Sequence, residues 1–155
     1  MTVPEFMQWL STSPVANAMN GPEWAFPMVE SLHFIGFAFL IGTIAIVDFR
    51  MLGLAMRRQP VAQIASDLAP WTRIGLAMML ITGPMMFSAD AVTYSVNPSF
   101  RLKMIFLAIA ILYNFTLHRM AVRSEKPGAV GMLAAVVSLL LWTSVLGAGR
   151  MIAFV

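Results

Sequence analysis

Residues 27–54 read PMVESLHFIGFAFLIGTIAIVDFRMLGL. From Phe34 to Val47 no side chain is charged. At ~1.5 Å per residue the stretch is long enough to cross the ~30 Å hydrocarbon layer of a bilayer. It predicts a membrane-spanning helix, with Pro27 near the start, where a missing N–H costs little. Three more apolar runs follow, at about 70–89, 98–122 and 128–155. The expected fold class is therefore all-α, an integral membrane four-helix bundle over residues 27–155.

The rest of the chain fits that frame. Residues 1–26 are broken up by Pro4, Pro14, Asn17, Asn20, Gly21 and Pro22, which predicts an extramembrane segment. Within it Phe6, Met7, Trp9 and Leu10 predict one short amphipathic turn lying on the bilayer surface. Trp24 marks the interface, where an amphipathic ring is at home. In the first connection Val61 to Leu68 predicts a short surface helix ended by Pro70. Pro84 predicts a kink near the far end of the second span.

Composition supports a lipid bilayer as the solvent. The chain is 59% hydrophobic and 11% charged, with mean hydropathy +0.80, against about 25% charged in a soluble domain. With no cysteine, disulfides, thiolate metal sites, iron–sulfur clusters and thiol catalysis are excluded. The fourteen methionines suit irregular packing. A net charge of +3 is a loop property that sets orientation, and no nucleic-acid footprint is visible. Residues 1–26 hold no Lys or Arg, so no charged n-region precedes the first span, which is expected to stay in the mature protein. Arg50, Arg57, Arg58, Arg73, Arg119, Arg123 and Lys126 flank the first and third connections, against Arg101, Lys103 and Arg150 on the other side. This asymmetry predicts cytoplasmic connections and both termini outside, periplasmic in a bacterial inner membrane.

Polar residues within the spans are the candidates for function, because a charge facing lipid is penalised. Helical phase puts Glu30 and Asp48 in register on span 1, with His33 about 60° away. On span 3 it aligns Lys103 with Asn114 and sets His118 about 60° from Lys103. Depth then predicts an outer cluster of Glu30, His33, Lys103 and Arg150, and an inner one of Asp48, Arg73, His118 and Arg119. Haem b is the cofactor such histidines suggest, with His33 and His118 as candidate iron ligands. Gly36 would clear space for the porphyrin, and Lys103 and Arg150 would neutralise its propionates. The two histidines lie at different depths, however, which argues against one haem gripped by both. The alternative is that the same clusters only neutralise charge and fix helix register. Glu30-x-x-His33 has the spacing of one arm of a di-metal carboxylate site, but the second arm is absent. Gly147 and Gly149 are expected to allow close packing of span 4.

Two stretches carry a resemblance. Glu30-Ser-Leu-His33-Phe-Ile-Gly36 with Asp48-Phe-Arg50-Met-Leu-Gly53, and Asn97-Pro98-Ser-Phe100-Arg-Leu-Lys103 with the closing Gly149-Arg150-Met-Ile-Ala-Phe154, resemble a group of small uncharacterised bacterial four-span inner-membrane proteins. More distantly the layout is similar to four-helix membrane cytochromes b and to the copper-resistance membrane domain. Those families imply histidine ligands on neighbouring helices, which only His33 and His118 could match.

The function expected from these readings is a small, non-catalytic membrane subunit of an electron-transfer assembly. It would bind haem b and pass electrons between a periplasmic partner and a membrane quinone. Other membrane or periplasmic subunits, or further copies of the chain, are the expected protein partners. The alternatives are a cofactor-free scaffold or assembly subunit and a small proton-coupled or metal transporter.

Overall fold

A computed structural model describes residues 2–124 and 128–154. Lys126, used above for orientation, and the expected end of span 4 at Val155 lie outside the described residues. The described chain is helical, with no strand. Four helices are long and apolar enough to cross a membrane: span 1 (Ala25–Met51), span 2 (Val61–Ala89), span 3 (Pro98–Arg123) and span 4 (Gly128–Phe154).

Burial is inverted relative to a soluble protein. Leu112, Leu117, Ile81, Leu133 and Val130 are 60–78% exposed, whereas Asp48, His118, Ser88 and Ser138 are buried. Apolar side chains cover the outside and polar ones line the inside, the arrangement a hydrocarbon solvent selects. Two apolar layers fill the interior. A middle layer holds Leu40, Ile44, Met79, Ala110, Trp142 and Val145. A second, nearer the end with the first and third connections, holds Val47, Met51, Val61, Ile64, Val122, Ala134 and Ala135. That end is called the loop end here, and the opposite one the terminus end.

Spans 1 and 2 cross at glycines. A Cβ on Gly36 would lie 2.7 Å from Met78 Cβ, and one on Gly75 would lie 2.6 Å from both Gly36 O and Leu40 N. Backbones this close exclude any side chain, as in small-residue contacts between membrane helices generally. Gly36 therefore leaves no room for a porphyrin: the space expected for one is filled by span 2. Thr43 and Thr72 add a hydroxyl contact of 2.8 Å between the same helices.

The ends are set by local chemistry. Span 1 stops at Gly53, whose φ of +72° is the left-handed conformation favoured just past a helix end. Arg50 Nε then donates to Gln59 O at 2.7 Å and holds the first connection. Span 3 starts at Pro98, after Asn97 caps it by accepting from Phe100 N–H at 3.0 Å. Asn97 Nδ2 also donates to Ile152 O at 3.3 Å, which joins spans 3 and 4.

Two expectations change. Span 2 runs unbroken from Val61 through Pro70 and Pro84. Its early part is not a separate surface helix, because burial of Val61 and Ile64 against span 1 and span 3 residues carries the helix across the proline. The N-terminal segment forms two helices, Val3–Ser11 and Pro14–Asn20, rather than one turn. They cover the corner after span 2: Asn20 Nδ2 donates to Ala89 O at 2.8 Å, and Ser11 Oγ accepts from Ala91 N–H at 3.1 Å. Phe6 and Trp9 stack at 5.8 Å and stay exposed.

Candidate functional site: two polar layers

At the loop end, Asp48 and His118 meet. His118 Nε2–H donates to Asp48 Oδ1 at 2.6 Å, with Asp48 fully buried and His118 5% exposed. This is the ion pair found among the described residues. It sits between the two apolar layers, flanked by Ile44 and Ala110 on one side and Met51 and Val122 on the other. Span 3 reaches it through a π-helical segment, Asn114–His118. Such a segment holds one extra residue per turn and so re-aims the side chains that follow it. Next to the pair, the Tyr113 ring lies 6.3 Å from the His118 ring, and its hydroxyl donates to Ala134 O at 3.0 Å.

Three buried side-chain atoms among the described residues have no hydrogen-bond partner: Asp48 Oδ2, Asn114 Nδ2 and Ser138 Oγ. A buried orphan typically costs about 1–3 kcal/mol.

At the terminus end the arrangement differs. Thr82 Oγ1 donates its one proton to Met78 O at 2.6 Å. Its oxygen must then accept from His33 Nδ1–H, 2.7 Å away. The proton is thereby assigned to Nδ1, leaving a free lone pair on His33 Nε2. His33 Cε1 lies 3.6 Å from the position of a Cβ on Gly83, and the Lys103 stem packs at 3.6 Å from one on Gly149. Lys103 is close enough to His33 to act on it electrostatically, so all four spans contribute to this layer. Glu30 is half-buried one turn toward the terminus end. Its charge reaches Tyr94, in the short helix Ala91–Val96 outside the spans. Burial, then the charges of Asp90 and Glu30, push the Tyr94 hydroxyl above its usual range. Phe87, Tyr94 and Phe100 stack beside it, Phe87 and Phe100 at 5.1 Å.

The sequence-derived clusters are thus met in part. His33 and Lys103 come together, but Arg150 is exposed and lies over the Phe154 ring at 5.0 Å. Asp48 and His118 pair, but Arg73 and Arg119 are exposed and take no part. Long cationic side chains such as Arg119 and Arg150 reach outward to polar surroundings instead of turning into the bundle. Gly149 packs on Lys103, while nothing approaches Gly147. Among the described residues no group of three or more His, Asp or Glu could hold a metal ion. Thr82, Tyr113 and Ser138 escaped the sequence reading. Hydroxyl residues commonly bond back within their own helix, so their types carried no signal of cross-helix contact.

His118 spends Nε2 on Asp48. It lies about 22 Å along the bundle from His33, since Asp48 is fifteen residues beyond His33 on span 1. The two rings do not face one iron, which agrees with the depth argument.

A bundle with apolar flanks, four spans long enough to cross a bilayer and polar groups inside is a multi-pass membrane protein. Residues 6–155 match a family of unknown function (DUF6644), and the chain belongs to that family. No curated protein and no solved structure matches it. The resemblance to an uncharacterised family therefore stands, and nothing found supports the more distant likeness to cytochromes b or the copper-resistance domain.

Proposed function

We propose that this protein handles protons, as a small proton-coupled carrier or as the proton-conducting subunit of a larger membrane assembly. The observation that carries the reading is the buried Asp48–His118 pair, 2.6 Å apart between two apolar layers. Ionisable residues inside spans are rare and mark ion pathways or proton relays by default. An imidazole is the side chain whose charge changes most readily near neutral pH. His33, whose Nε2 is left without a partner once Nδ1–H is held by Thr82, and Lys103 form a second station at the terminus end. By the arginine asymmetry that end is periplasmic and the loop end cytoplasmic in a bacterial inner membrane.

The test is proton uptake into liposomes that contain the purified protein and a pH-sensitive dye, driven by an imposed membrane potential. Uptake is expected above protein-free vesicles and to fall at least about tenfold in Asp48→Asn and His118→Gln, the usual scale for removing a proton-transfer group. Uptake no faster than in empty vesicles removes the reading. The absence of cysteine allows orientation to be tested separately. Single cysteines at Thr12 and Gln59 are expected to label from the periplasmic and cytoplasmic sides respectively.

A second reading has its own support. His33 Nδ1–H is held by Thr82, and a second-shell bond of this kind orients imidazoles that bind metals through the other nitrogen. On this reading His33 is an axial ligand of haem b, Lys103 meets a propionate, and the protein is a redox subunit between a periplasmic donor and quinone. His118 is not a ligand in it, because its Nε2 is taken. It requires a haem absorption band in the purified protein that disappears in His33→Ala.

A further inference from the structure

We propose that Asp48, Asn114 and Ser138 bind one internal water molecule, which extends the Asp48–His118 pair into a hydrogen-bonded proton chain toward the middle of the bundle. This deepens the proton-handling reading and rests on it for its function, though the water site itself can be tested separately.

The placement comes from helix register. Asp48 pairs with His118 across spans 1 and 3, and the Lys103 charge acts on His33 across the same spans. Both pairs are seventy residues apart, so the two helices run parallel in one register. Asn114 is four residues before His118, at the other end of the π-helical segment and toward the terminus end. Span 4 runs the other way: Gly149 meets Lys103, and Ala134 meets Tyr113. Ser138 lies on span 4 between Ala134 of one apolar layer and Trp142 of the other, as Asp48 lies between Ile44 and Met51 and Asn114 between Ala110 and Val122. Asp48 and Ser138 are fully buried, and the orphan atom of Asn114 is buried too. The residues one turn away on spans 3 and 4 are Ala110, Ala134 and Ala135, all buried. Such small side chains put no bulky group beside the three polar atoms.

The chemistry selects the ligand. Asp48 Oδ2 can only accept from a ligand unless it is itself protonated, Asn114 Nδ2 can only donate, and Ser138 Oγ can do either. The bound species must donate to the first and accept from the second. A metal cation would suit the two oxygens but would face the N–H hydrogens of Asn114. Water satisfies all three, within the two to four polar partners that buried waters typically have. A proton reaching this water from the middle of the bundle forms one O–H bond while another breaks. The released proton goes to Oδ2, water is regenerated, and His118 Nε2–H stays on Oδ1. No electrons change hands.

Infrared difference spectra of the liposome-reconstituted full chain, in ordinary and oxygen-18 water, test the site. A strongly bonded water O–H band that shifts with the isotope is expected. It should be lost in Asp48→Asn and in Ser138→Val, whose methyl takes the water's place, and displaced in the smaller Ser138→Ala should the valine variant fail to fold. Proton uptake should fall about tenfold in Ser138→Val. Absence of an isotope-sensitive band in the parent protein overturns the proposal, as does a band that survives in the Asp48 and Ser138 variants. Saturable displacement of the band by Na⁺ also overturns it, because a cation would then own the site. A band with the expected behaviour in liposomes that take up no protons keeps the water site and removes the proton-handling reading instead.

Discussion

The two histidines occupy matching places and behave differently. Each sits at one level with a span 3 or span 1 residue seventy positions away, His33 with Lys103 and His118 with Asp48. His118 faces a carboxylate, is buried, and has the π-helical segment behind it. His33 is half-buried, donates to a threonine hydroxyl, and has a cation beside it. One ring thus spends its Nε2 on a carboxylate, and the other keeps Nε2 without a partner on the side of the bundle that holds Lys103. The same residue type is bonded to a carboxylate in one layer and to a hydroxyl in the other.

The comparison breaks most readily at the loop end. Asp48→Ala leaves His118 buried without its partner and should lower the unfolding free energy by about 3 kcal/mol or more, read by denaturant titration in bicelles. Replacing both residues by leucine should recover most of that loss. A double variant as unstable as the single one would mean that the pair contributes through packing and not through charge. Next comes the close crossing of spans 1 and 2, which lies between the layers on span 1. Gly75→Ala puts a methyl 2.6 Å from backbone atoms of span 1 and should cost about 1–3 kcal/mol. Gly42→Ala, with nothing within 4 Å, should cost nothing measurable in the same assay.

At the terminus end the effects are smaller. Thr82→Val removes the acceptor of His33 Nδ1–H and should cost about 1 kcal/mol. It should also mix the two imidazole tautomers, which nitrogen-15 spectra of labelled histidine resolve, while His118 keeps its single form. Unchanged His33 signals would mean that Thr82 does not set the tautomer. The smallest effect belongs to Tyr94. Its hydroxyl is raised in the folded state, so it supplies stability that is complete below its unfolded value of ~10 and is lost as pH rises through the folded value. Tyr94→Phe should flatten the alkaline fall in melting temperature, and Glu30→Gln should make that fall smaller by lowering the folded value, leaving burial as the main cause.

Much of the fold was legible because its signal is local and large. Runs without charge between arginine-flanked connections define spans without any knowledge of contacts, and the four helices lie close to where those runs were read. Phase and depth also brought Asp48 to His118 and His33 to Lys103, since each is a matter of counting turns. The arginines were misplaced because phase ignores reach: Arg73, Arg119 and Arg150 point outward from positions that counting put near the clusters. Gly36 was read as space for a cofactor when it is space for span 2, a choice that composition alone does not make.

By itself the sequence determined the solvent, the number of crossings and the level of each polar residue, because these follow from hydropathy and a fixed rise per residue. Tertiary structure alone decided which polar groups touch. It closed Asp48 on His118 through a π-helical segment, turned Thr82 toward His33, and left Asp48 Oδ2, Asn114 Nδ2 and Ser138 Oγ without protein partners. Contacts of that kind depend on how four helices rotate against one another. Rotation is set by the sum of close packing at places such as Gly36 and Gly75, and no single segment carries that information.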